Sequence, residues 1–157
     1  MKRHPKGAKE RQQTIQVWTY EQAQAAIPYI SSVVRSLREH GLEALARQRQ
    51  ARALADRPGR PDRSTLIAQQ EAEQACRRAE EQFREAAEEL QALDVYSLDP
   101  IQGQALVPFV HNEQLAWYIF DLHDPQPFRF WRYQSDPDDT RRPVTPMQKN
   151  AETSRVV

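Results

Sequence analysis

Apolar residues recur at spacings of three and four along the first two thirds of the chain. Near residue 105 the pattern switches to dense, alternating runs. The first spacing places side chains on one face of a helix and the second on one face of a strand. Ile27, Ile30, Val34, Leu37, Gly41, Ala44 and Leu45 form one stripe, which predicts a helix over residues 20–55. Thr19 is its expected N-cap, because Gln22 lies three residues on and Glu21 suits the positive helix end. Pro28 removes an interior hydrogen bond, so a kink or an initial short helix is expected there. Gly41 costs roughly 1 kcal/mol relative to alanine inside a helix, but on the stripe it lets another backbone come close.

Ala72, Cys76, Ala79, Phe83, Ala86, Leu90 and Leu93 alternate spacings of four and three. That repeat predicts a second helix over residues 64–93 with a coiled-coil-like seam. Between the two helices, Pro58, Gly59 and Pro61 enforce a turn. The pair is therefore an antiparallel helical hairpin about 45 Å long at 1.5 Å per residue. Cys76 in the seam reads as a small buried hydrophobe.

Three strands are expected after the helices, over residues 105–110, 115–122 and 128–133. Pro108 lacks an N–H and marks the first as an edge strand. If residues 123–127 close the last hairpin without a bulge, Leu122 faces Phe128 and Asp121 faces Arg129 as an ordinary cross-strand ion pair. One face then carries Tyr118, Phe120, Leu122, Phe128, Phe130 and Arg132. The other carries Trp117, Ile119, Asp121, Arg129, Trp131 and Tyr133. Eight of the 13 aromatic residues fall between 109 and 133, so both faces are aromatic and both need a cover. The expected fold is α+β: a long antiparallel helical hairpin packed on a small three-stranded antiparallel β-meander. It forms one domain over residues 14–146, with a disordered basic tail at 1–13 and a disordered tail at 147–157.

Charge narrows the function classes only slightly. Lys plus Arg and Asp plus Glu number 22 each, and mean hydropathy is -0.85. A single cysteine and the lack of an apolar leader or membrane-length run fit a cytoplasmic protein. No phosphate loop, nucleophile elbow or paired-cysteine site occurs in the sequence, so neither an enzyme nor a cofactor is expected. The favoured reading is a binding or assembly module, either a homodimer or one half of a protein complex. Its contact surface would be the sheet face of Trp117, Ile119, Arg129, Trp131 and Tyr133. A second reading is nucleic-acid binding, with Arg129 and Arg132 among the strand aromatics and Arg57 and Arg60 at the helical turn. The third is a small metal site at His111, Asp121, His123 and Asp124.

Several local motifs carry a family resemblance. They are the helix start WTYEQAQAAIP, the helix exit Leu93-Asp94-Val95, the segment Gly103 to Val110, and the Trp131 hairpin before an Arg-x-Pro close. Over roughly residues 17 to 143 the chain resembles the domain-of-unknown-function 2203 family of small uncharacterised bacterial proteins. The resemblance implies the helical hairpin and β-hairpin and carries no established activity. Its polar positions differ here: the family's aspartate before Phe is Pro108, its turn glutamate is Asp124, and its histidine after Trp is Arg132.

Overall fold

Thr19 opens the helical half as its spacing requires. Its Oγ1 accepts from Gln22 N at 3.1 Å, and the Gln22 side chain accepts from Thr19 N at 3.0 Å. In the computed structural model, which describes residues 15–146, the first helix, α1, runs over Tyr20–Ala25 and stops. A new helix, α2, spans Ile27–Ala55 with Pro28 in its first turn, where the missing N–H would have had no partner anyway. The expected helix 20–55 is thus two helices meeting at Ala26. The proline sets the break, and Gly41 does not interrupt α2.

The third helix, α3, covers Arg63–Gln91, within two residues of the expected ends. Asp62 caps it by accepting from Thr65 N at 2.8 Å. Helices α2 and α3 pack antiparallel: Gln69 near the start of α3 donates to Leu54 O, and Tyr29 near the start of α2 donates to Glu89. Ala44, Ala72, Ala79 and Ala86 are buried along the seam. Gly41 lies against the Phe83 ring, and a Cβ there would come within 3.1 Å of it. The small residue on the stripe admits a neighbouring ring, where the pattern had suggested a backbone.

Among the described residues the sheet has five strands, not three. They are β1 (Tyr96–Asp99), β2 (Gln104–His111), β3 (Gln114–Asp121), β4 (Phe130–Tyr133) and β5 (Arg142–Pro143), antiparallel in that spatial order. The helix exit, whose short Tyr96–Leu98 alternation is its only strand signal, pairs with β2 through Tyr96 and Leu106. β2 is consequently an interior strand, which corrects the edge assignment drawn from Pro108. The proline is tolerated because β1 pairs with β2 only as far as Leu106. At Pro108 that side receives Trp18 instead, whose N donates to Pro108 O at 2.8 Å.

The β3–β4 register also differs from the bulge-free hairpin. Ala116 pairs with Tyr133, Trp117 with Arg132, Tyr118 with Trp131 and Ile119 with Phe130. The connection does not close as a five-residue loop: Asp121 N donates to Pro127 O, Phe128 folds into the core, and pairing resumes only at Phe130. A slip of one residue sends every side chain of a strand to the opposite face. Trp131 and Tyr133 therefore join Tyr118 and Phe120, while Phe130 and Arg132 join Trp117 and Ile119.

The helices cover the Tyr118 face. Ile30, Val33, Val34 and Leu37 of α2, with Ala86 and Leu90 of α3, pack with Val107, Phe109, Tyr118, Phe120, Phe128 and Trp131. Phe109 and Tyr118 stack with ring centroids 3.8 Å apart. The far half of the helical hairpin contributes no buried residue to this core and extends about 27 Å beyond Leu37. It forms an arm held by its own seam. On the second sheet face, Leu106, Trp117 and Ile119 are buried with Tyr96, Leu98, Leu115 and Phe130, and no helix residue belongs to that cluster. The tails expected at 1–13 and 147–157 lie outside the described residues.

Candidate interaction surface

The five residues expected to form one contact patch do not share a surface. Trp117 and Ile119 are buried on the second face, and Trp131 and Tyr133 belong to the helix side, as the register requires. Arg129 is exposed but pairs with Asp124 rather than Asp121, donating from Nε at 2.8 Å and Nη2 at 2.9 Å. This bidentate contact holds the Asp124 carboxyl below its ordinary range and the guanidinium above its own. Asp121 instead accepts from His123 N at 2.9 Å and tightens the turn.

The metal set is not assembled either. His111 is opposite Gln114 at one end of the β2–β3 ladder and Asp121 is opposite Gln104 at the other, about 23 Å away at 3.3 Å per residue. His111 sits among the rings of Phe109, Trp131 and Tyr133. Among the described residues no group of three or more potential ligands could hold a metal ion. The residues of the nucleic-acid reading are scattered as well. Arg57 and Arg60 lie in the turn at the arm's tip and Arg132 is buried in the sheet. Of the strand aromatics expected to stack on bases, Phe128 and Trp131 are core residues and Phe130 and Tyr133 are half-buried on opposite faces of the sheet.

Arg132 is the one buried charged residue of the described core, only 5% exposed. Pairing places Pro108, Trp117 and Arg132 in one cross-strand row. The Arg132 guanidinium is poorly satisfied. Nη1 donates to Tyr133 O at 3.3 Å, Nη2 lies 3.6 Å from the carboxylate of Asp138, itself 93% exposed, and Nε has no acceptor among the described residues. A buried, half-paired guanidinium costs desolvation that its contacts do not return. Replacement by an apolar side chain of similar length, Arg132→Met, is therefore expected to leave stability unchanged or raise it by about 1 kcal/mol, read from the urea midpoint.

Beside β4, Asp136 accepts from Tyr133 N at 2.8 Å and from Nε and Nη2 of Arg142, both at 2.9 Å. Arg142 in turn lies over the rings of Trp131 and Tyr133, 5.5 and 5.0 Å from their centroids. The Arg142 contact leads the causes that bring the Asp136 carboxyl down from 3.8 to about 2. A depressed folded-state pKa contributes stability above the unfolded value, and that stability is lost as pH falls through the folded one. Between pH 4 and pH 2, wild-type protein should therefore lose more thermal stability than Asp136→Asn, which has no carboxyl to protonate.

Exposed large apolar side chains lie elsewhere. Tyr29, Leu42, Leu45, Leu66 and Ile67 all belong to α2 or α3. Leu45 borders a groove of about 310 Å³ walled by Gly41, Ala44, Phe83, Pro100 and Ile101, with Gln48 and Glu80 at its polar edge. Further along the arm a recess of about 240 Å³ is lined by Ala51, Glu73, Cys76 and Arg77. Cys76 Sγ lies 3.4 Å from Glu80, and burial first, then that carboxylate, pushes the thiol pKa up, away from reactivity. A third cleft, about 620 Å³ and more polar, lies between α1 and the Pro125–Arg129 loop. Leu66 and Ile67 were visible in the sequence as apolar residues off the seam of α3, and Leu42 as one off the stripe of α2.

No helix among the described residues is long and apolar enough to cross a membrane. No curated protein and no solved structure matches the chain. Residues 16–144 match the family model described as an uncharacterized conserved protein (DUF2203), and with most of its length inside that match the chain belongs to this family.

Proposed function

We propose that this chain is a non-enzymatic binding and assembly module whose contact surface is the two-helix arm, not the aromatic sheet. The observation that carries the reading is where apolar surface is left exposed. The strands spend their aromatic side chains on the fold, whereas the described helices keep five large apolar side chains in solvent, one of which, Leu45, borders an apolar groove. An arm that reaches past the core and contributes no buried residue to it has little structural role unless another surface meets it. A setting that keeps the lone thiol reduced, such as cytoplasm, suits this reading.

Native mass spectrometry of the freshly purified full chain tests it. The expected spectrum shows an assembled species with no metal or nucleotide mass increment, and Leu45→Glu shifts it toward monomer without loss of helical circular dichroism. A monomer, bare or carrying a small-molecule or metal adduct, would contradict the proposal.

One observation favours a second reading, in which an anionic group such as a nucleic-acid phosphate meets the second sheet face: the unsatisfied Nε of Arg132. Fluorescence anisotropy of a labelled single-stranded oligonucleotide at low salt decides it. Binding that Arg132→Met abolishes supports this reading, and no binding by wild-type protein sinks it.

A further inference from the structure

We infer that the arm's partner is a second copy of this chain, docked antiparallel so that Leu66 of each copy fills the other's groove beside Gly41 and Phe83. The inference rests on the reading of the arm as a contact surface and adds to it the partner and the geometry. Its first support is that both halves of the contact lie on one side of the arm. Leu66, Glu73 and Glu80 are seven residues apart along α3 and so share a face. Glu80 borders the groove, Glu73 borders the second recess, and Leu66, 52% exposed, ends the row. A knob at one end of a face and a groove at the other make that face self-complementary under a two-fold rotation.

Charge supplies the second support. Residues 47–63 at the tip carry six arginines against two aspartates, net +4, while residues 79–91 at the base of α3 carry five glutamates against one arginine, net -4. An antiparallel pair sets each basic tip beside the other copy's acidic base, and a parallel pair sets like charges together. Opposed blocks of this kind steer association and fix its direction.

The magnitudes fit a weak dimer. From Leu66 to Phe83 the overlap is about 25 Å along the helix, and two helices side by side are about 20 Å wide. That buries on the order of 1,000 Å² in total, near the lower bound for a specific interface. The dimer should therefore be concentration-dependent and loosened by salt. The rotation axis midway between knob and groove passes close to Cys76, so the chain's single thiol reports on the arrangement.

The experiment is crosslinking of the full chain with a short bis-maleimide above pH 8, where the raised thiol still reacts, followed by mass measurement. The expected product is a covalent dimer that Cys76→Ser does not form. Leu66→Glu should reduce its yield about tenfold or more, since each lost leucine contact is worth at least one decade of affinity. Unchanged circular dichroism of Leu66→Glu shows that the fold is kept. A non-covalent dimer that Leu66→Glu breaks, yet that Cys76 does not crosslink, overturns the antiparallel placement and spares the arm reading. A dimer indifferent to both changes overturns the two together. A chain that stays monomeric at every concentration overturns the second copy as partner.

Discussion

Trp131→Ala is expected to cost about 3–5 kcal/mol of folding stability, the range for removing a large aromatic side chain from a core, and to cost it equally at every protein concentration. Trp131 is 6% exposed, with the rings of Phe109, His111 and Tyr133 at 5.7, 4.7 and 4.8 Å. Against a total stability of about 5–15 kcal/mol, the loss is large enough to leave some molecules unfolded at room temperature. The measurement is urea denaturation at low temperature, with a lower midpoint and an unchanged slope. A tryptophan on an intermolecular face would behave differently: its loss would change the mass of the assembly and leave the monomer's midpoint nearly where it was. The variant thus separates the observed register from the bulge-free hairpin.

Ala79→Glu should have the second largest effect, confined to the arm. Ala79 is 1% exposed in the seam between α2 and α3, and a glutamate there must either bury its carboxyl, at about 3 kcal/mol or more, or force the helices apart. Because the hairpin beyond Leu37 and before Ala86 supplies no buried residue to the core against the sheet, only the half-buried Phe83 packing on it, the separation need not reach the sheet. The expected result is reduced helical circular dichroism and fast amide exchange over residues 44–83, with the amides of β2 and β3 still protected. Simultaneous loss of strand protection would show that arm and sheet unfold as one unit.

The helical half was legible in the sequence because its signals are local. Thr19 and Gln22 form the capping box their spacing required, Pro28 breaks the helix where its ring must, and the alanines of α3 line the seam that their repeat described. The sheet was legible in outline only. Alternation gives two faces but not the number of residues a loop spends before pairing resumes. That number depended on Phe128, which turns into the core, and on Pro127, whose carbonyl takes Asp121 N. One residue of difference exchanged the faces of Phe130, Trp131, Arg132 and Tyr133 and dissolved the contact patch drawn from them. β1 and β5 escaped for a related reason: four residues and two residues carry too little periodicity to stand out, and they exist because β2 and β4 offered them an edge. The arm's exposed leucines were in plain view, but a search for seams discards apolar residues that fall off the seam.

The most direct test of the arm as contact surface is hydrogen–deuterium exchange of the full chain at two protein concentrations that bracket its assembly. Peptides covering residues 41–52 and 64–83 are expected to gain protection on concentration, while those covering β2, β3 and β4 exchange alike in both samples. Protection gained on the strands around Trp117 and Ile119, with the arm unchanged, would return the interface to the sheet and contradict the account.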